Sequence, residues 1–252
     1  MLTETRQKLF QFIQKKGQIS PKELAKFMGI SPQMIFRHLK KLQNEGKIQK
    51  SGNPPFIFYH LPMSAKDWSI QGAIKWAYEQ KAPELKQDYY CETRDVFQGR
   101  QDRLPKELIR ITNNEQISFL LSAVVGEIGN NSFDHNLGNW PDVPGIFFKI
   151  DTAEKIIMLA DRGQGIFMSL QKIKPEIKSH LEALQIAFTE IISGRTPEHR
   201  GNGLKFVKRV IEENNLKLKF YSGDAKCVIE KGETKFLKTD KPINGTLAVI
   251  EF

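Results

Sequence analysis

From Leu9 through Ile13 the apolar positions follow a helical period, which predicts a helix over about residues 3–15 that Gly17 ends. Ser20-Pro21-Lys22-Glu23 then has the make-up of a helix start, with Ser as N-cap, Pro at the first helical position and Glu three residues on to complete a capping box. Gly29 closes that helix and Ser31-Pro32 opens the next. Ile35, Leu39 and Leu42 give it a buried stripe, and Gly46 stops it. Two short capped helices joined through Gly29-Ile30 predict a helix-turn-helix. Extended segments on either side of the Ser-Gly-Asn-Pro-Pro run at 51–55 predict a β-hairpin reaching Tyr59.

Further along, Ile70, Ile74 and Ala77 share a helical face over 64–79, with Trp68 and Trp76 beside it as packing residues. Arg94 to Leu104, followed by Leu108 and Ile109, predicts another helix, and Pro83 and Pro105 punctuate this stretch. Residues 63–115 carry no recognisable chemistry and are expected to be a helical connector. Ile117, Leu121, Val124 and Ile128 then mark a long amphipathic helix. Runs at 145–150 and 155–160 predict buried strands, and an amphipathic helix is expected near 177–188. Phe206, Val207, Val210 and Ile211 form a last helical stripe. Strands close the chain at 216–221, through Val228 and Phe236, and at 244–252.

The net charge of +9 changes this picture once it is located. Residues 1–62 hold eleven Lys and Arg against Glu4, Glu23 and Glu45, a surplus of +8 that leaves the remaining 190 residues nearly neutral. A small basic module on a neutral body points to an anionic partner, most often nucleic acid. Cys91 and Cys227 lack metal or redox spacing, so a zinc site and a disulfide framework are not expected. Charges precede any apolar run at the N-terminus, and no stretch approaches a membrane span. A cytoplasmic protein without a signal peptide is the expectation.

Candidate chemistry begins in the long helix. Glu127, Asn131 and His135 recur every fourth residue with Asp134 beside the last, so one face carries a carboxylate, an amide and further polar groups. The second buried strand ends in Asp161-Arg-Gly-Gln-Gly165, where a carboxylate can accept from an exocyclic amine while glycines let backbone approach a flat ring. Arg200-Gly-Asn-Gly-Leu204 opens the last helix, and glycines there leave backbone N–H groups and the positive helix end free for phosphate. Thr246 stands at the entrance of the final strand.

Two resemblances follow from these residues. Residues 1–62, most closely in Ile35-Phe36-Arg37-His38-Leu39-Lys40-Lys41-Leu42 and Glu45-Gly46-Lys47-Ile48, resemble the winged helix-turn-helix domains of bacterial transcription regulators. That resemblance implies that Gln33 and Arg37 face base edges in duplex DNA while Lys40, Lys41, Lys47 and Lys50 hold phosphates. Phe36 departs from the small polar residue usual at its position. A winged helix used for protein contacts or dimerisation is the alternative. The four blocks around Asn131, Asp161, Gly201 and Thr246, in that order over residues 116–252, resemble the nucleotide-binding boxes of the GHKL (histidine kinase-like) ATPase superfamily.

The second resemblance implies the Bergerat fold, an α/β two-layer sandwich of the α+β kind holding ATP and Mg2+ beneath a lid from about Ile166 to Arg200. Asn131 would then coordinate Mg2+, and Asp161 would accept from adenine with Thr246 supporting it. Gly163 and Gly165 would make room for the base, and Arg200, Gly201, Gly203 and Leu204 would wrap the phosphates. Glu127 would act on the attacking water, with Asp134 and His135 in support. The expected organisation is therefore a winged helix over 1–62, a connector over 63–115 and an ATPase domain over 116–252. The expected function is an ATP-binding, Mg-dependent, hydrolysing transcriptional regulator. A serine/threonine protein kinase of the anti-sigma type, its winged helix docking a partner, and a non-hydrolysing nucleotide sensor are the alternatives. No acceptor-like His phrase precedes the long helix, which argues against a histidine kinase. A protein partner and a homodimer are left open.

Overall fold

The computed structural model describes residues 4–52, 54, 57–62, 65–190 and 203–252. The chain divides into two compact units, Met1–Trp68 and Ser69–Phe252.

The first unit runs α1 (Glu4–Lys16), β1 (Gln18–Ile19), α2 (Pro21–Met28), α3 (Pro32–Asn44), β2 (Gln49–Ser51) and β3 (Phe58–His60). Local chemistry sets its corners. Ser20 Oγ accepts the Glu23 N–H at 3.3 Å and Glu23 accepts the Ser20 N–H at 3.0 Å, the reciprocal capping box anticipated for α2. Gly29, at φ +64°, ends that helix in the left-handed region. Ser31 Oγ caps α3 by accepting the Met34 N–H. Leu9, Ile13, Leu24, Ile35, Leu39, Leu42, Ile48 and Tyr59 form one core. The hairpin of β2 and β3 is joined by β1 in an antiparallel sheet of order β1-β3-β2. β1 is too short to be visible in the residue pattern.

α4 (Ala65–Tyr78) opens the way into the second unit, followed by β4 (Tyr90–Cys91), α5 (Arg94–Gln101), α6 (Leu104–Thr112), α7 (Glu115–Asn136), β5 (Ile146–Asp151) and β6 (Ile156–Asp161). Then come α8 (Gly165–Gln171), α9 (His180–Thr189), α10 (Gly203–Glu213), β7 (Lys217–Ser222), β8 (Ala225–Glu230), β9 (Glu233–Lys238) and β10 (Thr246–Glu251). The strands form one seven-stranded antiparallel sheet, ordered β4-β5-β6-β10-β7-β8-β9.

Both faces of its centre are covered, and β6 shows this residue by residue. Ile157 and Leu159 join the cluster built with α7, α9 and α10, whereas Ile156, Met158 and Ala160 join the one beneath α4. Such a strand reads as an unbroken apolar run because neither face meets water. Its last residue, Asp161, is thereby carried into the interior.

The stretch 63–115 differs from the expected connector. From Ser69 onward it belongs to the second unit, because its apolar residues pack there. Ala73, Trp76 and Ala77 of α4 are buried against Phe147, Met158, Leu247 and Val249. Phe97, Leu104 and Leu108 join the main core, and β4 extends the sheet edge. The helix expected from Arg94 breaks into α5 and α6 at Asp102-Arg103, and Pro105 falls in the first turn of α6, where its missing N–H is tolerated.

α5 lies so close to α7 that a Cβ on Gly129 would strike the Phe97 ring. Gly129→Ala should therefore destabilise the protein by about 1–3 kcal/mol through overpacking, even though Ala is the better helix former. Urea unfolding would show this, and Phe97→Leu in the same background should recover part of the loss. Equal or higher stability for the single variant would contradict the packing.

Candidate functional site

Where β6, β10 and the C-terminal half of α7 meet, they form a small, partly open cleft of about 50 Å³ lined by Asn131, His135, Asp161, Ile166, Leu204 and Thr246 among others. Asp161 is 1% exposed, and an isolated carboxylate there would be costly. Donors from three directions meet it. Thr246 Oγ1 at the start of β10 donates to Oδ2 at 2.5 Å, Ser132 Oγ on α7 donates to the same oxygen at 2.8 Å, and the Gly163 N–H donates to Oδ1 at 2.8 Å. Burial pushes the Asp161 carboxyl above its ordinary range, and these donors act against that shift.

The turn after Asp161 is pinned from two sides. Asn136 Oδ1 accepts the Gln164 N–H at 2.9 Å while its Nδ2 donates to the Ser132 carbonyl at 2.8 Å. Ser222 Oγ, at the end of β7, accepts the Ile166 N–H at 2.9 Å. A Cβ on Gly163 would collide with the Asn136 side chain, and one on Gly245, at φ +62°, would collide with Asp161 itself. Ser132, Asn136, Ser222 and Gly245 were not singled out from the sequence. Ser132 stands next to Asn131 and Gly245 next to Thr246, so adjacency to a named residue was the only available signal.

The helical face expected on α7 divides. Asn131 and His135 line the cleft, and Glu127 and Asn131 both lie against Gly203 at the start of α10, where a Cβ would meet Glu127 Oε2 first. Asp134 instead forms an ion pair with Arg94 of α5. Gly165 opens α8 at φ +71°, and Leu204 lies in the first turn of α10. Arg200 and Gly201 lie outside the described residues, as does the part of the expected lid beyond Glu190. Cys91 and Cys227 are buried thiols pushed up by burial to about 11 and about 12, so neither is a ready nucleophile.

Arg162, directly after Asp161, is buried beneath the sheet. Its Nε pairs with Asp142 at 2.6 Å, while its terminal nitrogens donate to the carbonyls of Trp76, Glu79 (2.9 Å) and Gln80 (3.2 Å) at the end of α4. Asn244, directly before Gly245, adds its N–H to the Ala77 carbonyl at 2.9 Å and its amide to Glu79 at 3.2 Å. The last carbonyls of a helix have no partner within it. Here the chain neighbours of the cleft residues satisfy them.

In the first unit, Gln33, Arg37 and Lys40 stand exposed on the face of α3 opposite Ile35, Leu39 and Leu42, with exposed Lys41 beside them. Lys50 is exposed on β2. Lys47 is half-buried and pairs with Glu45 at 2.9 Å, so it offers less free charge than the others.

The raised Asp161 carboxyl has a consequence for stability. The folded state holds the proton more tightly than the unfolded chain, so this group's contribution to stability falls as pH rises from about 4 through the raised native value, then levels off. Asp161→Asn removes that slope, and its melting temperature relative to the wild type should rise across the same window. Parallel melting profiles for the two proteins would contradict a buried, proton-retaining Asp161.

Against known proteins, the family described as winged helix-turn-helix DNA-binding matches residues 2–49. No curated protein matches the chain. No helix among the described residues is long and apolar enough to cross a membrane. The family match and the exposed basic face of α3 support a DNA-binding regulator, and the rest of the chain is an α/β body with a large antiparallel sheet.

Proposed function

We propose that the chain is a nucleotide-responsive regulator that binds duplex DNA through α3 and Mg-ATP in the cleft around Asp161. The observation that carries the second half is the convergence on that carboxylate. Thr246, Ser132 and Gly163 orient it, and it is set beside a turn whose backbone approaches the cleft closely. A buried acceptor with a fixed direction suits the exocyclic amine of adenine. Asn131 would supply an amide oxygen to Mg2+, and the start of α10 at Gly203 would face the phosphates. Among the described residues no group of three or more His, Cys, Asp or Glu is placed to hold a metal. Mg2+ held chiefly by phosphate oxygens and water needs no such group. Bound Mg-ATP would supply a transferable phosphoryl group, and Glu127, which lies against Gly203, would be the carboxylate that orients or deprotonates an acceptor.

The clamp on α4 gives this reading a route for regulation. α4 is the segment through which the chain passes from the winged helix into the second unit, and its last carbonyls are held by Arg162 and Asn244. Arg162 is bonded to the cleft residue Asp161, and Asn244 to Gly245, which packs against Asp161. A ligand that shifts the Asp161 turn therefore acts on the end of α4 without crossing a water-filled gap.

Mg-ATP should raise the melting temperature of the full chain, and Asn131→Ala should weaken its binding at least tenfold. With γ-labelled ATP, label released to water would mark a hydrolysing regulator, label on a protein hydroxyl the anti-sigma-type kinase, and intact ATP a sensor. No Mg-dependent binding at millimolar ATP would end the nucleotide reading. For the DNA half, affinity of the full chain should fall steeply with salt as Lys and Arg release counterions. Lys41→Ala should weaken all sequences alike, whereas Arg37→Ala should flatten sequence preference. Salt-independent binding would move the winged helix to a protein-contact role.

A further inference from the structure

Phe36 is 48% exposed on α3, so about half of an aromatic side chain stays in water, where folding gains nothing from it. It does not belong to the core of its unit, which takes Ile35, Leu39 and Leu42 from the same helix. Phe27, also exposed, differs in that one face of its ring is stacked on Phe12 at a centroid distance of 3.4 Å. Among the described residues Phe36 has no such ring contact. At about 100° per residue, it lies on the flank of the outward face, between Gln33 three residues before it and Lys40 four residues after it. It is also the fifth residue of α3, in the N-terminal half that reaches base edges when a recognition helix enters the major groove.

The surroundings decide what can cover this ring. Gln33 and Lys40 are exposed next to it, with exposed Arg37 and Lys41 further round the same helix, and residues 1–62 carry the +8 surplus, so the complementary surface is a polyanion. Within the major groove of DNA the base edges present hydrogen-bond donors and acceptors, and one apolar group, the 5-methyl of thymine. From this, and resting on the proposed binding of duplex DNA through α3, we infer that Phe36 reads a pyrimidine 5-methyl in the major groove and is a specificity-determining residue of the winged helix. Gln33, on the same flank, has the paired donor and acceptor that match adenine N7 and N6, so the two side chains are suited to neighbouring edges of A·T pairs. The apolar ring thus supplies a contact that a small polar residue at this position lacks.

The test uses the full chain and duplexes enriched by it from a randomised pool. Each thymine is replaced in turn by deoxyuridine, which keeps pairing and every hydrogen-bonding atom and removes only the methyl. Fluorescence-anisotropy titrations at fixed salt compare the wild type with Phe36→Ser and Phe36→Leu, whose melting temperatures should match the wild type because the side chain is outside the core. Loss of the methyl at one or two positions should weaken wild-type binding about fourfold, the value of one buried methyl-sized group. It should leave Phe36→Ser unchanged and affect Phe36→Leu less than the wild type. At those positions 5-methylcytosine should bind the wild type more tightly than cytosine, with no gain for Phe36→Ser. Equal deoxyuridine penalties in wild type and Phe36→Ser, or no penalty at any position, would overturn the assignment. So would enrichment that yields no sequence preference, in which case a protein surface becomes the occupant of this face.

Discussion

A carboxylate at the end of a strand buried on both faces has to be met by donors, and meeting Asp161 organises the second unit. The apolar alternation of β6 serves two cores at once, which leaves its terminal carboxylate almost wholly buried at the edge of the cleft. The donors must therefore come from the elements that surround it, α7 through Ser132, β10 through Thr246 and the following turn through Gly163. Each bond fixes one element against another, so the register of the sheet, the rotation of α7 and the path of the turn are mutually constrained. An unsatisfied buried acceptor costs about 1–3 kcal/mol or more when charged, so displacement of any one donor is opposed.

The same constraint gives the cleft its preorganisation. Asn136 and Ser222 hold backbone N–H groups of the turn, Gly245 passes over Asp161 where no side chain would fit, and Gly203 brings α10 against Glu127 and Asn131. Beneath the sheet, Arg162 and Asn244 extend the arrangement to the carbonyls ending α4. The polar cleft and the helix that follows the winged unit in the chain are thereby neighbours through covalent bonds and direct hydrogen bonds. The winged unit has its own core and caps, and its basic face needs none of these contacts to be correctly formed.

How much of this could be read in the sequence follows from the range over which each interaction acts. Ser20, Glu23, Gly29 and Ser31 signal the helix-turn-helix because caps operate within four residues. Asp161 could be found because an apolar run ends at it. Ser132 could not, since its partner is 29 residues away and their meeting depends on how α7 lies across the sheet. The period of α7 places Asp134 beside Asn131 and His135, but α5 supplies Arg94 and draws it into an ion pair instead. The stretch 63–115 carries no motif, so its role in the fold, from Trp76 beneath the sheet to Phe97 against Gly129, emerges only from packing. Arg162 reads as the variable position of a turn, and the carbonyls it meets at the end of α4 lie more than eighty residues earlier.

The central claim is that one ligand site and one DNA-binding face share a free energy, and a ligand that binds both states equally would shift nothing. The most direct measurement is the affinity of the full chain for a non-hydrolysable ATP analogue with and without saturating duplex DNA. The account predicts a change of about 5- to 150-fold, matched by an equal effect of the analogue on DNA affinity, as linkage requires. A single analogue dissociation constant in the presence and absence of DNA would contradict it.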